Sequence, residues 1–230
     1  MNPLISTLSI LPEHWLIIPT NGNKQPLGYQ WQLHPFSPSQ MAKLLTQTGA
    51  VQVLNKHRGF YPVTPQGIGL LCGQTEPEFL LAVDVDGESA HAKIQELSRG
   101  RGLPKTVAFT SGRPGRAQYL FSLPGINHQL KSCKISTAPG EALELRGTGL
   151  QSVLPPSPHP LTGSYKWLPH CRPDQADVAH APQWAIDRMT NPVRLSELLK
   201  MPRHSHFKKT GLRGLIARHS TRILTRLCSF

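Results

Sequence analysis

Apolar residues in this chain come in short runs cut by proline and glycine, so the pattern predicts many short elements. Residues 14–19 (HWLIIP) form an early extended stretch, followed by the loop TNGNKQP. Ser37-Pro38 opens a helix, with Ser as cap and Pro in the first turn. Met41, Leu44, Leu45 and Thr48 form its apolar face and Gly49 stops it. Residues 61–73 (YPVTPQGIGLLCG) predict a loop leading into a short strand, and residues 79–86 (FLLAVDVD) give the clearest strand. The stretch 88–99 (ESAHAKIQELSR) predicts a helix with Ala90, Ile94 and Leu97 inward and Gly100 at its end. Residues 106–110 and 118–122 read as a hairpin around SGRPGR. Further strands are predicted at 143–146, 151–154 and 164–168, and short helices at 182–189 and 193–200. Runs of strands after a single strand–helix unit predict an α+β fold.

At 230 residues the chain can bury a core without disulfide staples. It has no apolar run near the roughly 18 residues that a membrane span needs. The start, MNPLISTLSILPEHW, lacks a basic region and a small-residue cleavage site, so a cytoplasmic location is expected. Cys72, Cys133, Cys171 and Cys228 are far apart with no CxxC pair, which predicts free thiols. A zinc site from Cys133, Cys171 and His170 or His180 is the alternative, without a recognisable spacing. The formal net charge is +12, and it is uneven: residues 201–230 hold seven Lys+Arg and no acid. A basic tail on a modestly basic body points to a polyanion, nucleic acid first and an anionic membrane surface second.

The carboxylates carry the first chemical signal. Asp84 and Asp86 lie two apart on a strand, so both point one way while Val83 and Val85 point into the core. Like charges side by side raise each other's pKa unless a cation lies between them. Oxygen-only ligands favour Mg²⁺ or Mn²⁺. The bland alternative is a strand that ends in a DG turn. Glu144, in LELR, shares a face with Arg146 and supplies a third acid. A two-ion site suited to nucleotidyl transfer would then be complete; alone, Glu144 and Arg146 read as a same-face ion pair.

The phosphate side is more basic. SGRPGR brings Ser111, Gly112, Arg113, Gly115 and Arg116 between two strands, where glycine lets backbone approach a phosphate and arginine clamps it. A solvent-facing basic turn is the alternative. PPSPHP, residues 155–160, predicts a rigid loop presenting Ser157 and His159. In TGSYKW, Tyr165 and Trp167 share a strand face and suit either base stacking or the core.

Together these motifs resemble one family. IGLLCG, FLLAVDVDG, VAFTSGRPGR and LELRGTGLQSVLPPSPHPLTGSYKWLP, in that order, are similar to the bifunctional DNA primase/polymerase N-terminal domain of the archaeo-eukaryotic primase superfamily. The opening WLIIP…NKQPLGYQW, with Lys24, Pro26 and Trp31, fits as well; cyanobacterial members give the nearest pattern. The resemblance spans about residues 10–190. It implies an RRM-like catalytic sheet joined to a smaller N-terminal α/β unit, within a domain over 1–190 and a short helical basic tail over 191–230. It implies a template-dependent nucleotidyltransferase, a DNA primase and DNA polymerase of DNA replication, plasmid or mobile-element replication included. Asp84, Asp86 and Glu144 become catalytic metal ligands for two Mg²⁺ or Mn²⁺ ions. Ser111, Arg113, Arg116, Gln118, Arg146 and His159 become nucleotide-binding residues. The partners implied are single-stranded or primed DNA, nucleoside triphosphates and a separate helicase, with no membrane. The family's second motif often carries a His that touches the triphosphate. Here the strand reads Arg116-Ala117-Gln118-Tyr119, and Gln118 and Arg116 take that role.

Two other classes compete. VDVDG also resembles the nucleophile strand of haloacid-dehalogenase-like phosphatases, but Glu88 stands where those enzymes place Thr or Val. A catalytically inactive primase-like remnant that binds DNA through the basic tail is the non-enzyme reading.

Overall fold

The computed structural model describes residues 2–125 and 130–190. The helix expected at 193–200 and the basic tail over 191–230 lie outside the described residues. In chain order the elements are α1 (Pro3–Leu8), β1 (Ile17–Thr20), α2 (Pro38–Thr48), β2 (Val51–Asn55), β3 (Gly59–Val63), β4 (Gly67–Leu71), β5 (Gly73–Gln74) and β6 (Glu78–Asp86). Next come α3 (Glu88–Leu97), β7 (Ala108–Thr110), β8 (Arg116–Pro124), β9 (Cys133–Ala138), β10 (Glu141–Arg146), β11 (Gln151–Leu154), β12 (Pro158–His159), β13 (Gly163–Ser164), β14 (Lys166–Trp167), β15 (Ala179–His180) and α4 (Gln183–Thr190). The content is α+β.

Two sheets organise the chain. The larger runs β14-β7-β8-β6-β10-β9, with β5 on β6 and β15 on β8 as side pairings; the smaller runs β1-β4-β11. β6 lies near the middle, antiparallel to both β8 and β10. Its alternation decides the layering. Phe79, Leu81, Val83 and Val85 face a core shared with Ala90 and Ile94 of α3 and Ala185 and Met189 of α4. Leu80 and Ala82 face a second core, with Ile68 and Leu70 of β4, Leu4 and Leu8 of α1, and Met41 and Leu45 of α2. A strand apolar on both faces is expected of one sandwiched between layers. Only at its last turns does the second face change to Asp84 and Asp86, and there the sheet opens into a cleft.

The helix starts follow the expected chemistry. Ser37 and Gln40 form a reciprocal capping box on α2, Pro38 occupies its first turn, and Gly49 ends it with φ +69°. Three elements depart from the sequence reading. Residues 61–63, at the start of the expected loop, belong to a strand, β3, paired with β2. The region 163–168 is two short strands interrupted at Tyr165, not one strand. β9 was not anticipated, since CKISTA alternates weakly and is half exposed.

Candidate active site

Register places the acids. Asp84 stands opposite Glu144 on β10 and opposite Gln118 on β8, while Asp86 stands opposite Arg116. Directly paired residues on one face of an antiparallel sheet are neighbours. The row Glu144–Asp84–Gln118 therefore follows from backbone pairing alone. The cleft at this end holds about 290 Å³ and is lined by Asp84, Asp86, Arg116, Gln118 and Arg146 from the strands. Lys24, Ser111, Arg113 and His159 line it from loops.

Two arginines balance the carboxylates. Arg146 Nη2 lies 2.6 Å from Asp84 Oδ2 and 2.9 Å from Glu144 Oε2. Its Nη1 donates to the Gln151 carbonyl at 2.8 Å, which fixes the guanidinium from a third side. Arg116 pairs with Asp86, and its Nη2 donates to the Gly140 carbonyl at 3.2 Å. Asp84 is buried, and that burial pushes its carboxyl up to about 6, against the opposing pull of Arg146 and with help from Asp86 and Glu144. Arg146 is held charged, because Asp84 and Glu144 together outweigh its own burial.

The loop wall is tied down by side chains. Ser157 Oγ accepts from Ile68 N at 2.8 Å and donates to Ile68 O at 2.9 Å, which pins the PPSPHP loop to β4. Gly67 permits this contact: a Cβ there would lie 2.6 Å from Ser157 Oγ. Ser157 thus has a structural role, and His159, two residues on, faces the cleft. Thr162 has one hydroxyl proton, which it gives to the Ser111 carbonyl. The same oxygen lies 2.9 Å from His159 Nδ1, which also accepts from Leu161 N at 3.4 Å. Burial, Lys24 and Arg113 all hold the His159 pKa down. The same Thr162 hydroxyl ties Ser111, and so the SGRPGR loop, to the His159 loop.

Each predicted site residue can now be placed. Asp84, Asp86, Ser111, Arg113, Arg116, Gln118, Arg146 and His159 all line one cleft. Glu144 is adjacent to Asp84 in register, with its carboxylate turned to Arg146. Lys24, Gln151 and Tyr165 were not assigned to the site from sequence. Lys24 sits at φ +68° in a turn tied by Asn21, whose side chain accepts from the backbone N of Asn23 and Gln25. NGNK between two strands is the signal that could have found it. Tyr165 is buried and packs edge-on to Phe109 and His159, so its role is support of the loop wall. Trp167 also packs edge-on to Phe109, in the core.

The donor set suits a hard divalent ion at Asp84 and Asp86. Both side chains offer only oxygen, and the burial of Asp84 disfavours a bare charge that a cation would stabilise. Gln118 Oε1 is buried beside them without a partner. Among the described residues, however, no three His, Cys, Asp or Glu side chains gather into a ready metal cage. Arg146 stands between Asp84 and Glu144 instead. The zinc reading on Cys133 and Cys171 therefore finds no support, and Cys72, Cys133 and Cys171 are unpaired.

Among the described residues no helix is long and apolar enough to cross a membrane. The chain has no match among curated proteins. The sequence model of the family described as bifunctional DNA primase/polymerase, N-terminal, matches residues 7–184. That stretch contains both walls of the cleft, and the chain belongs to this family.

Proposed function

We propose that the chain is a template-dependent nucleotidyltransferase, a DNA primase/polymerase whose reaction takes place in the cleft at the end of β6. The observation that carries this reading is the meeting of Asp84, Asp86 and Arg116 on paired strands with Lys24, Arg113 and His159 on the opposite wall. An acidic end for cations and a basic end for phosphates are what a nucleoside triphosphate requires. Family membership supports the same chemistry and implies DNA template and nucleotide substrates.

Asp84 and Asp86 would hold Mg²⁺ or Mn²⁺, with Glu144 as the third acid. Bound there, two ions supply charge stabilisation for the triphosphate and a lowered pKa for the attacking 3′-hydroxyl. Arg113, Arg116 and Lys24 bind and orient the phosphates of the incoming nucleotide. Arg146 positions the Asp84 and Glu144 carboxylates and keeps them from repelling each other before a cation arrives. Gln118 takes the place of the family's His and contributes an uncharged hydrogen bond rather than a cation. His159, its pKa held down by burial and by Lys24 and Arg113, meets the substrate as a neutral imidazole and takes on charge only in acid. A replication setting, possession of a helicase partner and a cytoplasmic location belong to this proposal.

One observation favours a second reading, the inactive DNA-binding remnant: Arg146 occupies the space between two of the three acids. Incorporation of labelled nucleotide on a primed single-stranded template, with Mg²⁺ or Mn²⁺, separates the two. Wild type extends the primer, and Asp84→Ala/Asp86→Ala loses at least about a thousandfold in rate, on the scale of losing a principal electrostatic stabiliser. No extension by either protein, with DNA binding intact in both, would favour the remnant.

A further inference from the structure

A second surface stands apart from the cleft. Residues 14–75 contain no Asp or Glu, a gap running from Glu13 to Glu76. Within that gap lie four of the five large hydrophobic side chains exposed among the described residues: Tyr29, Leu33, Phe60 and Tyr61. They are brought together by the two-stranded ribbon β2–β3 and the loop that packs along it. Tyr29 N donates to Leu54 O at 2.7 Å, which lays residues 28–34 against β2. The ring of His34 meets Phe60 edge-on at 5.4 Å. Phe60 pairs with Leu54 and Tyr61 with Val53, so the two aromatics face opposite sides of the ribbon. The Phe60 side is the one that carries His34.

The tip of the ribbon is basic and exposed. Lys56, His57 and Arg58 form the turn, shaped by Asn55 Oδ1 accepting from His57 N and by Gly59 at φ +76°. β3 is exposed along nearly its whole length, and Pro62 blunts its edge against further strand pairing. Single exposed apolar side chains are ordinary, but exposed apolar side chains gathered on one ribbon and its flanking loop, rimmed by polar residues, mark an interaction surface. A stretch of chain without acids, with aromatic faces beside Lys and Arg, has the two features of single-strand binding: bases stack on the rings and phosphates meet the cations. A duplex hides its base faces and gains only the electrostatic part. A protein partner would have no need of a stretch without acids.

We propose that the Phe60 side of the β2–β3 ribbon, with His34 and the Lys56/Arg58 tip, is a stacking platform for single-stranded nucleic acid. It rests on the proposed function only for the identity of the strand, the unpaired template. Lys24 in the cleft and Tyr29, whose backbone joins the ribbon at Leu54, are five residues apart, at most about 18 Å of chain. A strand on the platform therefore leads towards the reacting end.

The test uses the full chain without nucleotide or metal, so it does not depend on catalysis. A single-stranded oligothymidylate carrying 5-iododeoxyuridine, irradiated on the protein, should cross-link to the peptide containing Phe60. Phe60→Ala should abolish that cross-link and weaken binding at raised salt roughly 5- to 150-fold, the worth of one or so stacked bases. Phe60→Trp should restore both. Lys56→Gln/Arg58→Gln should lower the salt slope by about 1.4 for two lost phosphate contacts. Phe60 is 58% exposed, so its replacement leaves the core intact. Cross-links confined to other peptides, or equal weakening of duplex binding, would overturn the proposal. So would loss of self-association by Phe60→Ala with the cross-link unchanged, which would make this face a contact between copies of the chain. Failure of primer extension with the cross-link present would count against the proposed function alone.

Discussion

The two walls of the cleft hold their residues by different means. On one wall Asp84, Asp86, Gln118, Arg116 and Glu144 stand on three adjacent strands, and backbone register sets their spacing. On the other wall Lys24, Ser111, Arg113 and His159 come from loops, and single side chains such as Asn21, Ser157 and Thr162 tie those loops in place. A strand wall can shift only by breaking a sheet. A loop wall can move when one hydrogen bond is lost. The strand wall therefore suits groups that must hold fixed charges at fixed distances, and the loop wall suits groups that close on a substrate.

The sharpest way to break this contrast is at Arg146, which balances the strand wall. Arg146→Ala leaves Asp84 and Glu144 adjacent and uncompensated, with Asp84 buried. The expected cost is about 3 kcal/mol of stability, at the low end for breaking a buried pair. Primer extension should fall as well. Denaturant unfolding in chelator measures the loss, and added Mn²⁺ should return part of it if the cation settles on the freed acids. An Arg146→Ala protein as stable as wild type would mean that register alone, without charge balance, holds this wall.

The loop wall is probed next, through Gly67→Ala. The added Cβ would meet Ser157 Oγ at 2.6 Å and Thr20 Oγ1 at 2.8 Å, on either side of β4. Neither can retreat without loosening β1 or the PPSPHP loop. Overpacking of this kind costs about 1–3 kcal/mol. Displacing the His159 loop should raise KM for the nucleotide more than it lowers kcat. Steady-state kinetics that show the reverse, with KM unchanged, would place the effect on the strand wall and erase the distinction.

The sequence made the strand wall more legible than the loop wall, for a physical reason. Alternation puts Asp84 and Asp86 on one face with Val83 and Val85 on the other, and LELR repeats the pattern with Glu144 and Arg146. Period-two patterns survive translation into structure because a strand has only two faces. The pairing of β10 beside β6 could not be read, since register depends on partners distant in the chain. Nor could the neutralisation of Asp84 by Arg146, 62 positions away. Lys24 escaped notice as a cleft residue because its place depends on the Gln151 side chain donating to its carbonyl at 2.8 Å, again across the fold. Neither strand of the β2–β3 ribbon is read from the sequence: VQVLN is too short to stand out, and in β3 Pro62 and solvent exposure erase the alternation. The resemblance to the family supplied what local pattern could not, the assignment of these scattered motifs to one site.

The smallest effect expected is a pH-dependent one at Asp84 itself. Its carboxyl is raised from 3.8 to about 6 in the folded protein, chiefly by burial. Below the unfolded value both states are protonated and no penalty exists. As pH rises through the interval to about 6, the unfolded chain gives up its proton more readily, and stability falls. Above that the penalty is complete. Asp84→Asn removes the charge, so in chelator it should be the more stable protein at pH 8 and show no advantage near pH 4. The full gap corresponds to no more than about 3 kcal/mol. That gap already includes the pull of Arg146, but the unmet hydrogen bonds of a buried amide beside the guanidinium offset part of it, which leaves a net gain of about 1 kcal/mol, or roughly 2–4 °C in Tm. With Mg²⁺ present the order should invert, because only the wild type gains a ligand for the cation. A variant equally displaced at both pH values would show that Asp84 carries no burial penalty, and the strand wall would then hold its charge as cheaply as any exposed loop.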